Sequence, residues 1–340
     1  MLLIPNEITM TERSVENIIN ARRVILGPSD KVRAVHPLKY PWARSLKERM
    51  IANDWRPVEV DMTKDATEYK NLRERESYDR ALAFLSNLDS FQLDNLATNI
   101  AKYITAPEIS ACINRQVWEE EVHVDSYSLM VESTSEDPLS IYNMYRLNPL
   151  LKSKNDFVTE QAEQVGSVFT VEGFVKAVAT NCILEGIYFF SGFLTFYAIA
   201  RGTQTMLGSA DMIRYIQRDE LTHLDLFARI WEELKNEHPE VFTEEFIRTQ
   251  VHPLIMGAVE REIIWGKHVI EPGVMGLTDG IIENFIQHRA DEVCDLLKIP
   301  RIYNVTNAVP WFYNYSAVNR NEPNFFEAKV TDYQKGGLEW

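Results

Sequence analysis

At 340 residues, with 45% hydrophobic and 25% charged side chains, the chain holds enough apolar material for one large core, which excludes disorder as its main state. Fifty acidic against 35 basic residues give a formal charge of −15, so the mean surface field repels nucleic acid and anionic membrane, and neither is expected as a partner. Cys112, Cys182 and Cys294 lie far apart without finger spacing, which excludes a disulfide framework and fits a reducing cytoplasm.

Met1 to Pro5 is too short for the apolar core of a leader, and Glu7 and Glu12 follow where positive charge is wanted, so no export is expected. The first 40 or so residues, punctuated by Pro5, Pro28 and Pro37, read as an extended arm with one short helix, and the arm proper is set at residues 1–35. From Asp65 onward apolar residues recur at three-to-four spacing, as in Tyr78, Leu82, Leu85 and Leu88, with few Gly or Pro. Helices are predicted over Asp94–Ile104, Pro107–Val131, Asn155–Gln164, Val171–Arg201, Ala210–Asn236, Thr243–Val269 and Thr278–Leu297. Period-two strand patterns are scarce, so the fold class is all-α, with one helical domain over residues 36–310. Residues 311–340, rich in Asn, Pro and Gly and ending in Gly336-Gly337-Leu338-Glu339-Trp340, read as a flexible, exposed tail. The stretch Asn181–Ala200 has a single charge, Glu185, and is long enough to cross a bilayer. No second such span exists, and the preferred reading is the central helix of a large bundle, apolar on all sides.

Two Glu-x-x-His pairs stand inside these helices, Glu120/His123 and Glu220/His223, and the spacing puts both side chains of each pair on one face. In so acidic a chain with seven histidines the pair alone is weak evidence. The context strengthens it. Asp89 precedes Glu120 by 31 residues and Glu185 precedes Glu220 by 35, each carboxylate in an apolar helical setting. One carboxylate from each of two helices and a Glu/His pair from each of two others is the ligand set of four-helix di-metal bundles. Four buried carboxylates would each cost several kcal/mol if left ionised and unpaired, whereas two divalent cations balance them and neutral imidazoles complete the shell. Oxygen-rich ligation without cysteine suits iron or manganese and leaves room for O₂. Tyr127, four residues after His123, falls on the same face, where Phe189, Phe193 and Ile216 can wall it from water. His36, His238, His252, His268 and His288 lack such partners and read as structural or exposed.

These residues resemble the small, radical-generating β subunit of class I ribonucleotide reductase, a ferritin-like di-metal helical bundle, from about His36 to the C-terminus. The resemblance is carried by Lys39-Tyr40-Pro41-Trp42, Asn53-Asp54-Trp55-Arg56-Pro57, Leu88-Asp89-Ser90, Pro107-Glu108 and Glu120-Glu121-Val122-His123. It continues in Leu184-Glu185-Gly186, Arg218-Asp219-Glu220-Leu221-Thr222-His223 and Asn324-Phe325-Phe326-Glu327. It implies that Asp89, Glu120 and His123 bind one metal and Glu185, Glu220 and His223 the other, and that Tyr127 stores the radical. It further implies a transfer route from His123 through Asp219 and Trp55 to Tyr333, a tail that docks on the large (α) subunit, and a homodimer. A di-iron pair is the first expectation, with manganese–iron and dimanganese pairs as alternatives, and a flavoprotein activator is left open. Relatives that carry phenylalanine at the tyrosine position and glutamate as first ligand store the oxidising equivalent on a manganese–iron pair; Tyr127 and Asp89 follow the radical-storing pattern. Gln116 stands where some relatives have tryptophan. The competing readings are a ligand-binding oxidase or monooxygenase on the same fold, a ferroxidase, and a bundle without metal.

Overall fold

The computed structural model describes residues 15–28 and 38–317, for 15–16 and 161–167 the backbone alone. The arm contributes one short helix, α1 (Val15–Ala21), followed by α2 (Pro41–Ala52), α3 (Thr63–Glu68) and the long α4 (Arg75–Asn95). Then come α5 (Pro107–Thr134), α6 (Pro138–Leu147), α7 (Pro149–Ser167), α8 (Val171–Ile183), α9 (Phe190–Thr203) and α10 (Leu207–Glu237). The short α11 (Glu244–Phe246) leads into α12 (His252–Ile270), and α13 (Asp279–Leu296) and α14 (Trp311–Ser316) close the described chain. Among the described residues the β contact is a single antiparallel bridge between Ile25 and Ile104.

Helix starts follow local chemistry. Pro41, Pro107, Pro138 and Pro149 each stand in a first turn, where a missing N–H costs nothing. Asp137, Asn148, Thr170, Thr243 and Thr278 cap the free N–H groups of α6, α7, α8, α11 and α13 with their side chains. Three stretches widen into π turns, Leu96–Ile100, Leu184–Tyr188 and Ile247–Val251. The predicted helix Val171–Arg201 is therefore α8 and α9 joined by a π turn, and the predicted Asp94–Ile104 is the end of α4 plus the first π turn, not a separate helix.

The bundle core is α4, α5, the α8–α9 pair and α10, with α2 laid on α5, while α12 and α13 cover α9 and the second π turn. Segment Val171–Thr203 is long and apolar enough to cross a membrane, yet its most apolar stretch is wholly buried in the protein, so its hydropathy serves the core. Among the helices that exceed the sequence expectation are α2, whose Ala43, Leu46 and Met50 form its buried stripe, and α6, which buries Ile141 alone and so offers little apolar period to read. The exposed tail expected from residue 311 is not what residues 311–316 form, and the residues beyond 317 lie outside those described. Phe312 of α14 is fully buried, with ring centroids 4.9 Å from Phe285, 5.5 Å from Tyr197 and 5.9 Å from Phe190.

Candidate metal centre

Each core helix brings its share of the predicted set to one place: Asp89 from α4, Glu120 and His123 from α5, Glu185 from the second π turn, and Glu220 and His223 from α10. All six are fully buried. One donor atom from each of Asp89, Glu120, His123 and Glu220 lies within 4.8 Å of the others, and the same holds for Glu120, Glu185, Glu220 and His223. Glu120 and Glu220 thus belong to both groups, which overlap in this pair of carboxylates.

The contacts inside the cluster are close, and the one between His223 Nδ1 and Glu220 Oε2 is a hydrogen bond, yet other donor atoms stay unsatisfied. His123 Nδ1 lies 3.0 Å from Glu220 Oε1, 3.5 Å from Glu120 Oε2 and 3.6 Å from Asp89 Oδ2. His223 Nδ1 lies 2.8 Å from Glu220 Oε2 and 3.3 Å from Glu120 Oε1. Both Asp89 oxygens, Glu120 Oε2, His123 Nδ1, Glu185 Oε2 and Glu220 Oε1 have no hydrogen-bond partner. A buried donor or acceptor left without a partner costs about 1–3 kcal/mol, so this many converging in one cluster calls for a shared occupant. Lone pairs of carboxylate oxygen and imidazole nitrogen, all aimed inward, fit cations.

Protonation follows from the same crowding. Burial first, and then Glu220, push the Glu185 carboxyl up to about 8. Burial also raises Asp89 well above the carboxylate range, against the lowering effect of His123. Burial opposes charge on His123, but Glu220, Asp219, Asp89 and Glu120 together raise its proton affinity well above the usual value. For His223 burial is likewise outweighed, by Glu120, Glu119, Glu185 and Glu220.

The outer nitrogens of the two histidines meet acids from the opposite helix. His123 Nε2 lies 3.4 Å from Asp219 Oδ2 on α10, and His223 Nε2 lies 3.0 Å from Glu119 Oε2 on α5. Each arrangement turns Nδ1 to the cluster. Asp219 accepts from Trp55 Nε1 at 2.7 Å and from Arg218 Nη2 at 3.0 Å, while Glu119 accepts from Arg115 Nε at 3.0 Å. Glu119 was missed by the sequence reading, although a signal existed: in both motifs an acid directly precedes the Glu-x-x-His. Gln92 was not read as part of the site, and Gln116 was noted only for standing where some relatives have tryptophan. Gln92 Nε2 donates to Glu185 Oε1 at 2.6 Å, and Gln116 Nε2 donates to the same oxygen at 2.9 Å and to Glu120 Oε1 at 3.0 Å.

Tyr127 is fully buried on α5, one turn beyond His123, and its hydroxyl has no partner. Burial, and after it Asp89, raise its phenol well above the usual value. Phe189, Phe193 and Ile216 are fully buried, and the first two stack with centroids 5.8 Å apart. Trp55, 5% exposed, stacks on Tyr215 at 5.0 Å. Tyr333 lies outside the described residues.

The family model for the small chain of ribonucleotide reductase matches residues 33–310. The chain belongs to the ribonucleotide reductase small-chain family. The β subunit of ribonucleoside-diphosphate reductase from Treponema pallidum (strain Nichols) is 36% identical over 93% of this chain and 92% of its own length. Its counterpart from Chlamydia pneumoniae is 31% identical over 99% of both. The solved ribonucleotide reductase R2 subunit from Clostridium botulinum, 35% identical, superposes with a TM-score of 0.83 over 86% of this chain and 94% of that one. Members of this family are the radical-generating subunits of an oxidoreductase, and the buried carboxylate–histidine cluster fits a di-metal site.

Proposed function

We propose that the six buried residues hold two transition-metal ions. Asp89 and His123 serve one ion, Glu185 and His223 the other, and Glu120 and Glu220 serve both. The partnerless donor atoms converging in two overlapping groups carry this reading. Bound there, iron or manganese supplies one-electron oxidising power drawn from O₂. A di-iron pair is the first assignment, and manganese–iron or dimanganese pairs use the same donors.

The chain's own residues then divide the work. Tyr127 is the residue that gives up an electron. Its raised phenol pKa means that it holds its proton until then, so the two leave together and the product is neutral. Complete burial keeps water and reductants from it. From His123 a line of hydrogen-bonding contacts runs through Asp219 to Trp55, the inner part of a route that continues to Tyr333 and to the large subunit, where nucleotides are reduced. The same reading makes the chain a cytoplasmic homodimer that docks the large subunit through residues beyond Tyr333, with a flavoprotein activator among the partners to be tested.

The test is the electron paramagnetic resonance spectrum of metal-free protein loaded with Fe(II), Mn(II) or both and exposed to air. A tyrosyl doublet is expected in the parent and not in Tyr127→Phe, with metal content equal in both. A coupled metal signal alone would move storage to the ions. Full reductase activity of Tyr127→Phe with the large subunit would sink the tyrosyl assignment.

A further inference from the structure

Among the described residues, two cations with no exposed surface lie outside the metal cluster, Lys154 on α7 and Arg289 on α13, and both reach the π turn that carries Glu185. Arg289 donates from Nε at 3.1 Å and from Nη2 at 3.0 Å to the carbonyl oxygen of Gly186. Its guanidinium also lies 3.8 Å from the centroid of Phe190. Lys154 donates to the carbonyl oxygen of Tyr188 at 3.0 Å, is paired with Glu262 of α12, and lies 3.2 Å from the ring centroid of Phe84. Glu262 in turn accepts from the backbone N–H of Ser191 at 3.1 Å, so the pair grips the chain on both sides of the break at Phe189.

A π turn disturbs the regular helical ladder, and its buried carbonyls need dependable donors. Stability alone does not call for ions here, because a buried pair is often replaced by apolar residues of similar volume without loss. The approach is also sterically prepared. A Cβ on Gly186 would stand 2.4 Å from Val293 Cγ2, one turn beyond Arg289 on α13, so glycine lets that helix come close enough for the guanidinium to reach the turn.

We propose that Arg289 and the Lys154–Glu262 pair are positioning residues for Glu185: they fix the π turn through the carbonyls of Gly186 and Tyr188 and thereby aim the carboxylate into the cluster. The proposal rests on the reading of Glu185 as a metal ligand. It predicts an asymmetry, since Glu185 belongs to one of the two donor groups and not to the other. Loosening the turn weakens one ion and spares its neighbour, whereas general loss of packing weakens both.

The experiment is an oxygen-free Mn(II) titration of the full chain, followed by calorimetry and electron paramagnetic resonance, for the parent, Arg289→Met, Arg289→Lys and the double variant Lys154→Met/Glu262→Gln. The parent binds two ions with the spectrum of a coupled pair. Arg289→Met and the double variant keep one site within about twofold and weaken the other by about ten- to a hundredfold, leaving the spectrum of an isolated Mn(II) at intermediate loading. Arg289→Lys, which keeps the charge and one donor, recovers part of the loss. Equal weakening of both ions, or unchanged binding of two ions by folded Arg289→Met, overturns the proposal. If Arg289→Met does not fold, the double variant decides by the same criteria, and failure of both to fold also overturns it, since these residues would then specify the fold instead of one ligand. A parent chain that binds no Mn(II) would instead remove the two-ion reading itself.

Discussion

Without metal, the cluster keeps its charge low by holding protons. The surrounding carboxylates raise the proton affinity of His123 and His223 against the cost of burial, and burial is the first cause that raises it for Asp89 and Glu185. Divalent cations take the place of such protons, so loading should release protons, and Glu185 alone, with its carboxyl at about 8, should give up about one at pH 7. The sign follows: protons compete with metal, so affinity rises with pH, and each proton displaced adds about one power of ten per pH unit to the constant. Above about pH 8 Glu185 has lost its own proton and the release becomes smaller. The assay is anaerobic titration calorimetry of metal-free protein with Mn(II) in buffers of different ionisation enthalpy, where the slope of apparent heat against buffer enthalpy gives the proton count. Loading that releases no protons at pH 7 would refute the exchange of protons for metal, as would affinity that falls with pH.

Trp55→Phe removes the hydrogen bond to Asp219 and should cost about 1.5–3 kcal/mol in thermal or denaturant unfolding, because the acceptor is charged. The variant should still load metal and form the radical yet fail to turn over with the large subunit; normal turnover would exclude Trp55 from the route. Glu119→Ala leaves the outer N–H of His223 without its acceptor and should weaken one ion by about ten- to a hundredfold, read by metal titration. Gly186→Ala drives a methyl into Val293 and should destabilise by about 1–3 kcal/mol, with recovery in the Gly186→Ala/Val293→Ala double variant measured by the same unfolding curves.

The residues that converge in the cluster were legible because Glu-x-x-His fixes two side chains on one helical face before any tertiary contact is known, and because Asp89 and Glu185 are conspicuous as charges in apolar helices. The sharing of Glu120 and Glu220 was not, since it depends on how α5 and α10 face each other. Gln92 and the hydrogen bonds of Gln116 escaped for a similar reason: a carboxamide in a helix reveals its acceptor only when the neighbouring helix is in place. The π turns left no trace because five residues of wider helix barely change an apolar period, least of all in a stretch that is apolar all round. The helix α14 was hidden by composition, as the Asn, Pro and Gly of the following residues outweighed the aromatic run Trp311-Phe312-Tyr313.

The segment that holds Glu185 also sets a condition on how the protein is made. Val171–Thr203 is as apolar as a membrane span and depends entirely on other helices for cover. α4 and α7, which pack on it, precede it in the chain, but α10, α12 and α13 follow, so during synthesis it leaves the ribosome before these later partners exist. At roughly 5–20 residues per second, the stretch from Thr203 to Leu296 takes about 5 to 20 seconds to appear. For that interval the most apolar stretch of the protein waits with part of its cover missing, and faster translation and docking of the later helices shorten its exposure.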